Sequence, residues 1–150
     1  MALQKLNLGY NAKLYRNTGT FSTPVWTVID NVKDLTVTLQ KEEVESNYRA
    51  SSPWKTSEPT LIDLSVNWQM AHDKDDTNWQ AIRDAFFNNN IIELLVIDRD
   101  VTVSGAQGVR FRCKVFNFTK TETLNGLQTW EVMVKPVMND NGPPSWYVTP

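Results

Sequence analysis

Two stretches of strict apolar–polar alternation flank one long loop, and they constrain this chain more than any other feature. In Leu35–Glu45, Leu35, Val37 and Leu39 fall on one face, and Thr36, Thr38, Gln40 and Glu42 on the other. In Thr60–Gln69, Ile62, Leu64, Val66 and Trp68 oppose Asp63, Ser65, Asn67 and Gln69. A period of two is the signature of a half-buried β-strand. Between them, Ser46–Pro59 carries two Pro and four Ser and has no period, so it reads as the loop of an enlarged hairpin.

Further strand signals surround this pair. Leu8–Arg16 alternates, Val25–Ile29 is short and rich in β-branched residues, and Asn17–Thr23 between them is a turn cluster. Trp79, Ile82, Phe86 and Phe87 recur at i, i+3, i+7 and i+8, which predicts one helix ending at Asn88–Asn90. Thr77 and Gln80 have capping-box spacing, and Asp73, Asp75 and Asp76 lie at the helix start. Ile91–Asp98 is a nearly continuous apolar run, expected to be covered on both faces. Val109–Phe118 alternates, and Asn125-Gly126 predicts a two-residue hairpin turn into Leu127–Val137. Asn139–Pro150 is set apart only by its prolines.

The expected fold is mainly β: an antiparallel β-sandwich or barrel of seven or eight strands with one α-helix on its flank. The expected organisation is a single β domain over residues 1–138, with the long loop 46–59, followed by a Pro-rich tail over residues 139–150.

Composition narrows the function. The 150 residues include 15 Lys plus Arg and 17 Asp plus Glu, a net charge of −2. Without a basic surplus, tight binding to nucleic acid is not expected. The single cysteine, Cys113, excludes an internal disulfide and a cysteine-based zinc site. No apolar run reaches the ~18 residues of a membrane helix. Met1–Leu8 lacks a basic segment followed by an apolar one, so no signal peptide and a cytoplasmic site of synthesis are expected.

Catalytic patterns are sparse. His72, the one histidine, follows a strand with no nucleophile-elbow serine in the sequence, and reads as a polar loop residue. Asp73, Asp75, Thr77 and Asp84 echo a calcium loop, but Asn78 stands where glycine is required, and helix capping accounts for the aspartates. Glu43 and Glu45, two apart on a strand, lie ~6.5–7 Å apart, a spacing a glycosidase pair could use but one common on any solvated strand. Trp68 and Trp79 lie on apolar faces and are expected in the core. Trp54 and Trp146 lie in the loop and tail, where a partner or a sugar could use them. Asn117-Phe118-Thr119 fits a glycosylation sequon without a secretion signal, and Cys113 alternates with core residues and is expected to be inert. No catalytic residue, cofactor or metal site is expected.

Two features have no explanation in a monomer. The Ser46–Pro59 loop is far longer than the ~4–6 residues typical of such connections and carries Tyr48, Arg49, Pro53 and Trp54. The polar faces of the two long strands contain no Lys or Arg, whereas Arg110, Arg112 and Lys114 cluster elsewhere in the sequence.

The order of short motifs resembles the major tail tube proteins of tailed bacteriophages. It runs from Gly9-Tyr10-Asn11-Ala12-Lys13-Leu14-Tyr15 through Pro24-Val25-Trp26-Thr27-Val28-Ile29 to Asp34-Leu35-Thr36-Val37. Acidic Glu42–Glu45, Arg49, Pro59-Thr60-Leu61-Ile62-Asp63-Leu64-Ser65-Val66 and the Asp-rich segment before Trp79–Phe87 follow in order. The resemblance implies a non-enzymatic structural virion protein. Its protomers form hexameric rings that stack into a tube carrying double-stranded DNA without gripping it. Implied partners are other copies of the chain, a tape measure protein, and tail tip and terminator proteins, with no membrane. Assembly would take place in the host bacterial cytoplasm. On this reading Thr36, Thr38, Gln40, Glu42, Asp63, Ser65, Asn67 and Gln69 face the lumen. Tyr48, Arg49, Pro53 and Trp54 reach the next ring. Related folds form the inner tubes of contractile injection systems and of type VI secretion. A carbohydrate- or receptor-binding β-sandwich using Trp54 and Trp146 is the alternative from another class.

Overall fold

The computed structural model describes residues 12–46, 53–122 and 124–150. Among these it contains eight strands and one helix: β1 (Lys13–Asn17), β2 (Trp26–Val28), β3 (Val32–Glu45), β4 (Ser57–Ala71), α1 (Thr77–Asn88), β5 (Ile92–Ile97), β6 (Gln107–Glu122), β7 (Gln128–Pro136) and β8 (Ser145–Val148). All strands belong to one antiparallel sheet of order β2-β1-β5-β6-β7-β4-β3, with β8 also paired to β6.

β6 makes one sheet into two layers. Its first half, Gly108–Cys113, pairs with β5, and its second half, from Cys113 to Glu122, pairs with β7. A bulge between Val115 and Asn117 lies within the second half. A bulge bends the strand and adds twist. Leu14, Leu94 and Phe111 of the first layer thereby share one buried cluster with Leu64, Val66, Trp68, Val132 and Val134 of the second. The first layer needs close backbone approach: a Cβ on Gly108 would come within 1.9 Å of the Val96 carbonyl oxygen.

The helix seals the same core. Trp79, Ile82 and Ala85, one helical stripe, join the cluster. Its N-cap is Asp76, not Thr77 as the capping-box spacing predicts. The Asp76 side chain accepts from the Asn78 backbone N–H at 3.1 Å, and Gln80 N–H donates to the Asp76 carbonyl. Asn89 ends the helix at φ 59°, its N–H donating to the Ala85 carbonyl. Such a left-handed cap suits asparagine. Asp73 accepts from the Asp75 N–H at 3.1 Å, so it shapes the turn before the helix.

Three boundaries differ from the sequence reading. β3 and β4 are longer at both ends, which shortens the loop between them. The β6–β7 link runs from Glu122 to Gln128, so Asn125-Gly126 sits inside a longer connection than a two-residue turn. The Pro-rich segment also supplies a strand. β8 pairs with β6, and Thr149 exchanges backbone bonds with Gly105 and Ala106 and donates its hydroxyl to the Val101 carbonyl at 3.0 Å. Short length and exposed alternation hid β8 from the pattern. Trp68, Trp79 and Cys113 are buried, as their positions predicted. Burial also pushes the Cys113 thiol far above its ordinary range.

Candidate assembly interface

The two layers end differently. On the first, the face turned away from the shared core is covered. Tyr15, Leu95, Ile97 and Ala106 form a second buried cluster under Trp26, Val28, Val101 and Tyr147. Beside them Glu93 is buried among Arg110, Arg112 (3.4 Å) and the Asn17 amide (3.1 Å). Arg110 also donates to the Phe21 carbonyl at 2.7 Å and lies 4.3 Å from the Phe21 ring centroid, which fastens the β1–β2 turn. Ile92–Ile97 is thus covered on both faces.

On the second layer, β3-β4-β7 and the far half of β6, the face away from the core has no cover. The register assembles that face from opposed residues. Thr36 lies opposite Asn67, Thr38 opposite Ser65 and Gln40 opposite Asp63. Asn67 lies opposite Met133 and Met133 opposite Asn117, while Gln69 lies opposite Glu131 and Glu131 opposite Thr119. Directly opposed residues share a face. Seven of the eight polar residues singled out by alternation are therefore brought together by printed pairs, and Glu42 continues the β3 alternation beyond Gln40. Gln69 donates to Glu131 across this face at 3.3 Å.

The same face corrects one sequence reading. The basic cluster does not lie elsewhere. Lys114 stands directly opposite Lys135, on the side shared with Met133 and Glu131. Neither lysine makes an ion pair among the described residues. Lys135 is remote in sequence from Lys114, so only strand pairing could reveal the contact.

The second layer also has two open edges. β3 pairs only with β4. Beyond Cys113, β6 pairs only with β7, because β5 stops at Ile92. Each open edge presents unpaired backbone donors and acceptors, a template for another strand. Past the last β4–β7 pair at Val66–Val134, the β3–β4 ribbon continues alone to Glu45–Ser57, a projection of about 26 Å at ~3.3 Å per residue. It exposes Leu39, Val44, Leu61 and Ile62, each more than half accessible, and Trp54 lies beyond its end at 77% exposure. A two-stranded ribbon by itself is marginal in water. A Lys55–Glu45 ion pair (2.8 Å) and a hydroxyl contact between Ser46 and Thr56 (2.8 Å) hold its tip. Pro53 and Trp54 sit at this end of the molecule, whereas Tyr48 and Arg49 lie outside the described residues.

The remaining candidates are occupied by structural contacts. His72 Nδ1 accepts from Trp130 Nε1 at 2.9 Å, and its ring packs edge-on against Trp79. Asn117 accepts from the Thr119 hydroxyl at 2.7 Å. Trp146 donates to Gln107 Oε1 at 2.9 Å. Glu43 and Glu45 lie on the exposed ribbon, and Glu45 is the partner of Lys55. Among the described residues no three His, Cys, Asp or Glu side chains are grouped to hold a metal.

No protein-family model matches the chain, and no curated protein matches its sequence. Solved structures do match its fold. A chain from the tail of an empty gene transfer agent particle, determined with C6 symmetry, superposes with a TM-score of 0.75 at 16% identity, covering 95% of this chain and all of that one. The SPP1 tail tube gives 0.71 at 13% identity, covering 87% of this chain and 75% of that one. A chain of the sheath-tube complex of an extracellular contractile injection system, PVC, gives 0.65 at 8% identity over 98% of this chain and 95% of that one. The open-edged, helix-flanked β architecture is the tail tube fold that phage-like particles and contractile injection systems share.

Proposed function

We propose that the chain is the major tube subunit of a phage-like tail, closing into rings that stack as a conduit for double-stranded DNA. The observation that carries this is the pair of open edges. Read across the second layer, β3, β4, β7 and β6 alternate in direction, so the free edge of β6 can pair antiparallel with β3 of a second copy. Such a contact is heterologous, and repetition of it closes into a ring. Closure removes both exposed edges at once. Six copies, the symmetry of the matched gene transfer agent tail, would contribute four strands each.

On this reading the uncovered face of the second layer lines the lumen, with Thr36, Thr38, Gln40, Glu42, Asp63, Ser65, Asn67 and Gln69 on it. Neutral and acidic groups there leave phosphate largely unbound, as passage requires. The β3–β4 ribbon and Trp54 extend past the layer toward the next ring, where the apolar side chains find cover. The chain would act without catalysis or cofactor, in the tail of the particle, beside tape measure, tip and terminator proteins.

Negative-stain electron microscopy of the concentrated protein tests the reading. Hollow filaments or sixfold rings are expected. A strict monomer, even with tail-tip complexes added as nuclei, would overturn it. Gln40→Lys combined with Asn67→Lys should leave tubes of normal length yet impair DNA ejection; unimpaired ejection would remove these positions from the lumen. The likeness to a sheath-tube complex supports a second reading, the inner tube of a contractile particle, which differs by binding a sheath.

A further inference from the structure

Lys114 and Lys135 oppose each other with no counter-charge among the described residues. Like charges directly opposed across a ladder destabilise it. The side of Lys114 away from Lys135 is the open edge of β6, so a compensating group can arrive from the next strand of a closed ring. We infer that the register of ring closure sets Glu42 of the next copy opposite Lys114. This rests on the tube reading above and specifies its interface.

Three independent features agree on that register. The first is charge. Glu42 lies on the same face of its strand as Gln40 and makes no ion pair among the described residues. It is also the only β3 carboxylate that follows Thr36, Thr38 and Gln40 on that alternation.

The second feature is the bulge. Because β6 carries one extra residue, Phe116, between Val115 and Asn117, a pairing that begins at Lys114–Glu42 continues as Asn117–Gln40 and Thr119–Thr38. The amide and hydroxyl pairs suit cross-strand contacts. On the opposite, core-side face the same register sets Phe118 against Leu39. Leu39 is 56% exposed in the isolated chain, and Phe118 packs on the core cluster.

The third is tilt. Within one copy Thr36, Asn67, Met133 and Asn117 form a single row across four strands. If Asn117 meets Gln40, the row enters the next copy four residues further along. That is about 13 Å along the strand for ~19 Å across four strands, a tilt of ~35°. Closed barrels tilt by about 35–45°. A two-residue step would give only ~19°, flatter than barrels adopt. A six-residue step, at ~46°, would set Lys114 against Val44 and leave its charge unmet.

Disulfide trapping reads the register directly. In a Cys113→Ala parent that assembles, Thr38→Cys with Thr119→Cys should give a ladder of linked chains ending in a closed ring after treatment with oxidised glutathione. Directly opposed residues lie within disulfide reach, so the pair Thr36→Cys with Thr119→Cys, offset by two, should link about tenfold less. Separately, Glu42→Lys or Lys114→Glu should each reduce assembly, and the two together should restore it. Preferential linking by the offset pair in an assembling parent, or a charge swap that fails to restore assembly, would overturn the register alone. A parent that remains monomeric under every condition would overturn the tube reading, and the register with it.

Discussion

The two layers of this sheet share one core yet have opposite relations to water. The first layer, β2-β1-β5-β8 with the near half of β6, is covered on both faces, down to a buried Glu93 held by two arginines. The second is covered on one face only, open at both edges, and extended by a ribbon with exposed apolar side chains. The difference separates residues that hold the monomer from residues that await a second copy. In the first layer a lost contact unfolds the chain. In the second it leaves the monomer intact and alters assembly.

Substitutions can sharpen or break that division. The largest effect is expected at Glu93→Gln, which leaves Arg110 and Arg112 without their carboxylate in a buried setting. Loss of one partner of a buried ion pair costs about 3–5 kcal/mol, measured as a fall in the urea midpoint. Leu94→Ala removes a fully buried side chain from the shared core and should cost about 2–5 kcal/mol by the same measurement. Asp76→Ala removes the helix N-cap and should cost about 0.5–2 kcal/mol.

At the bottom of the scale, Leu61→Ser in the ribbon should change monomer stability by no more than about 0.5 kcal/mol. Leu61 is 68% exposed, so little buried surface is lost. Yet the variant should form fewer or shorter filaments by electron microscopy. A Leu61→Ser protein that loses stability like Leu94→Ala would erase the distinction between the layers. Thiol chemistry offers a check of a different kind. Cys113 is fully buried and its thiol is held far above the ordinary range, so it should resist alkylation at pH 8 until the chain is unfolded in urea. Rapid native labelling would mean that the shared core opens.

Much of this was legible in the chain. Alternation in Leu35–Glu45 and Thr60–Gln69 located both long strands and the faces of their side chains, because a period of two is a local property of extended backbone. The helix stripe Trp79–Ile82–Phe86 was equally local, although its cap fell one residue earlier, on Asp76. The buried run Ile91–Asp98 announced a strand covered twice. β8 was missed because a four-residue strand after two prolines carries too little periodic signal. The turn at Asn125-Gly126 was placed correctly but drawn too tight, because the strands' pairing sets the length of the link.

What the sequence by itself determined, then, is which residues are strand or helix and which face each side chain takes, since backbone geometry imposes those periods within a few residues. Only the tertiary structure decided which strands are neighbours. Pairing between distant segments set Lys114 against Lys135, gathered the polar residues of β3 and β4 with Asn117, Thr119 and Glu131 on one face, and left β3 and the far half of β6 as open edges. Those relations arise from hydrogen bonds between segments far apart in the chain, and no local period encodes them.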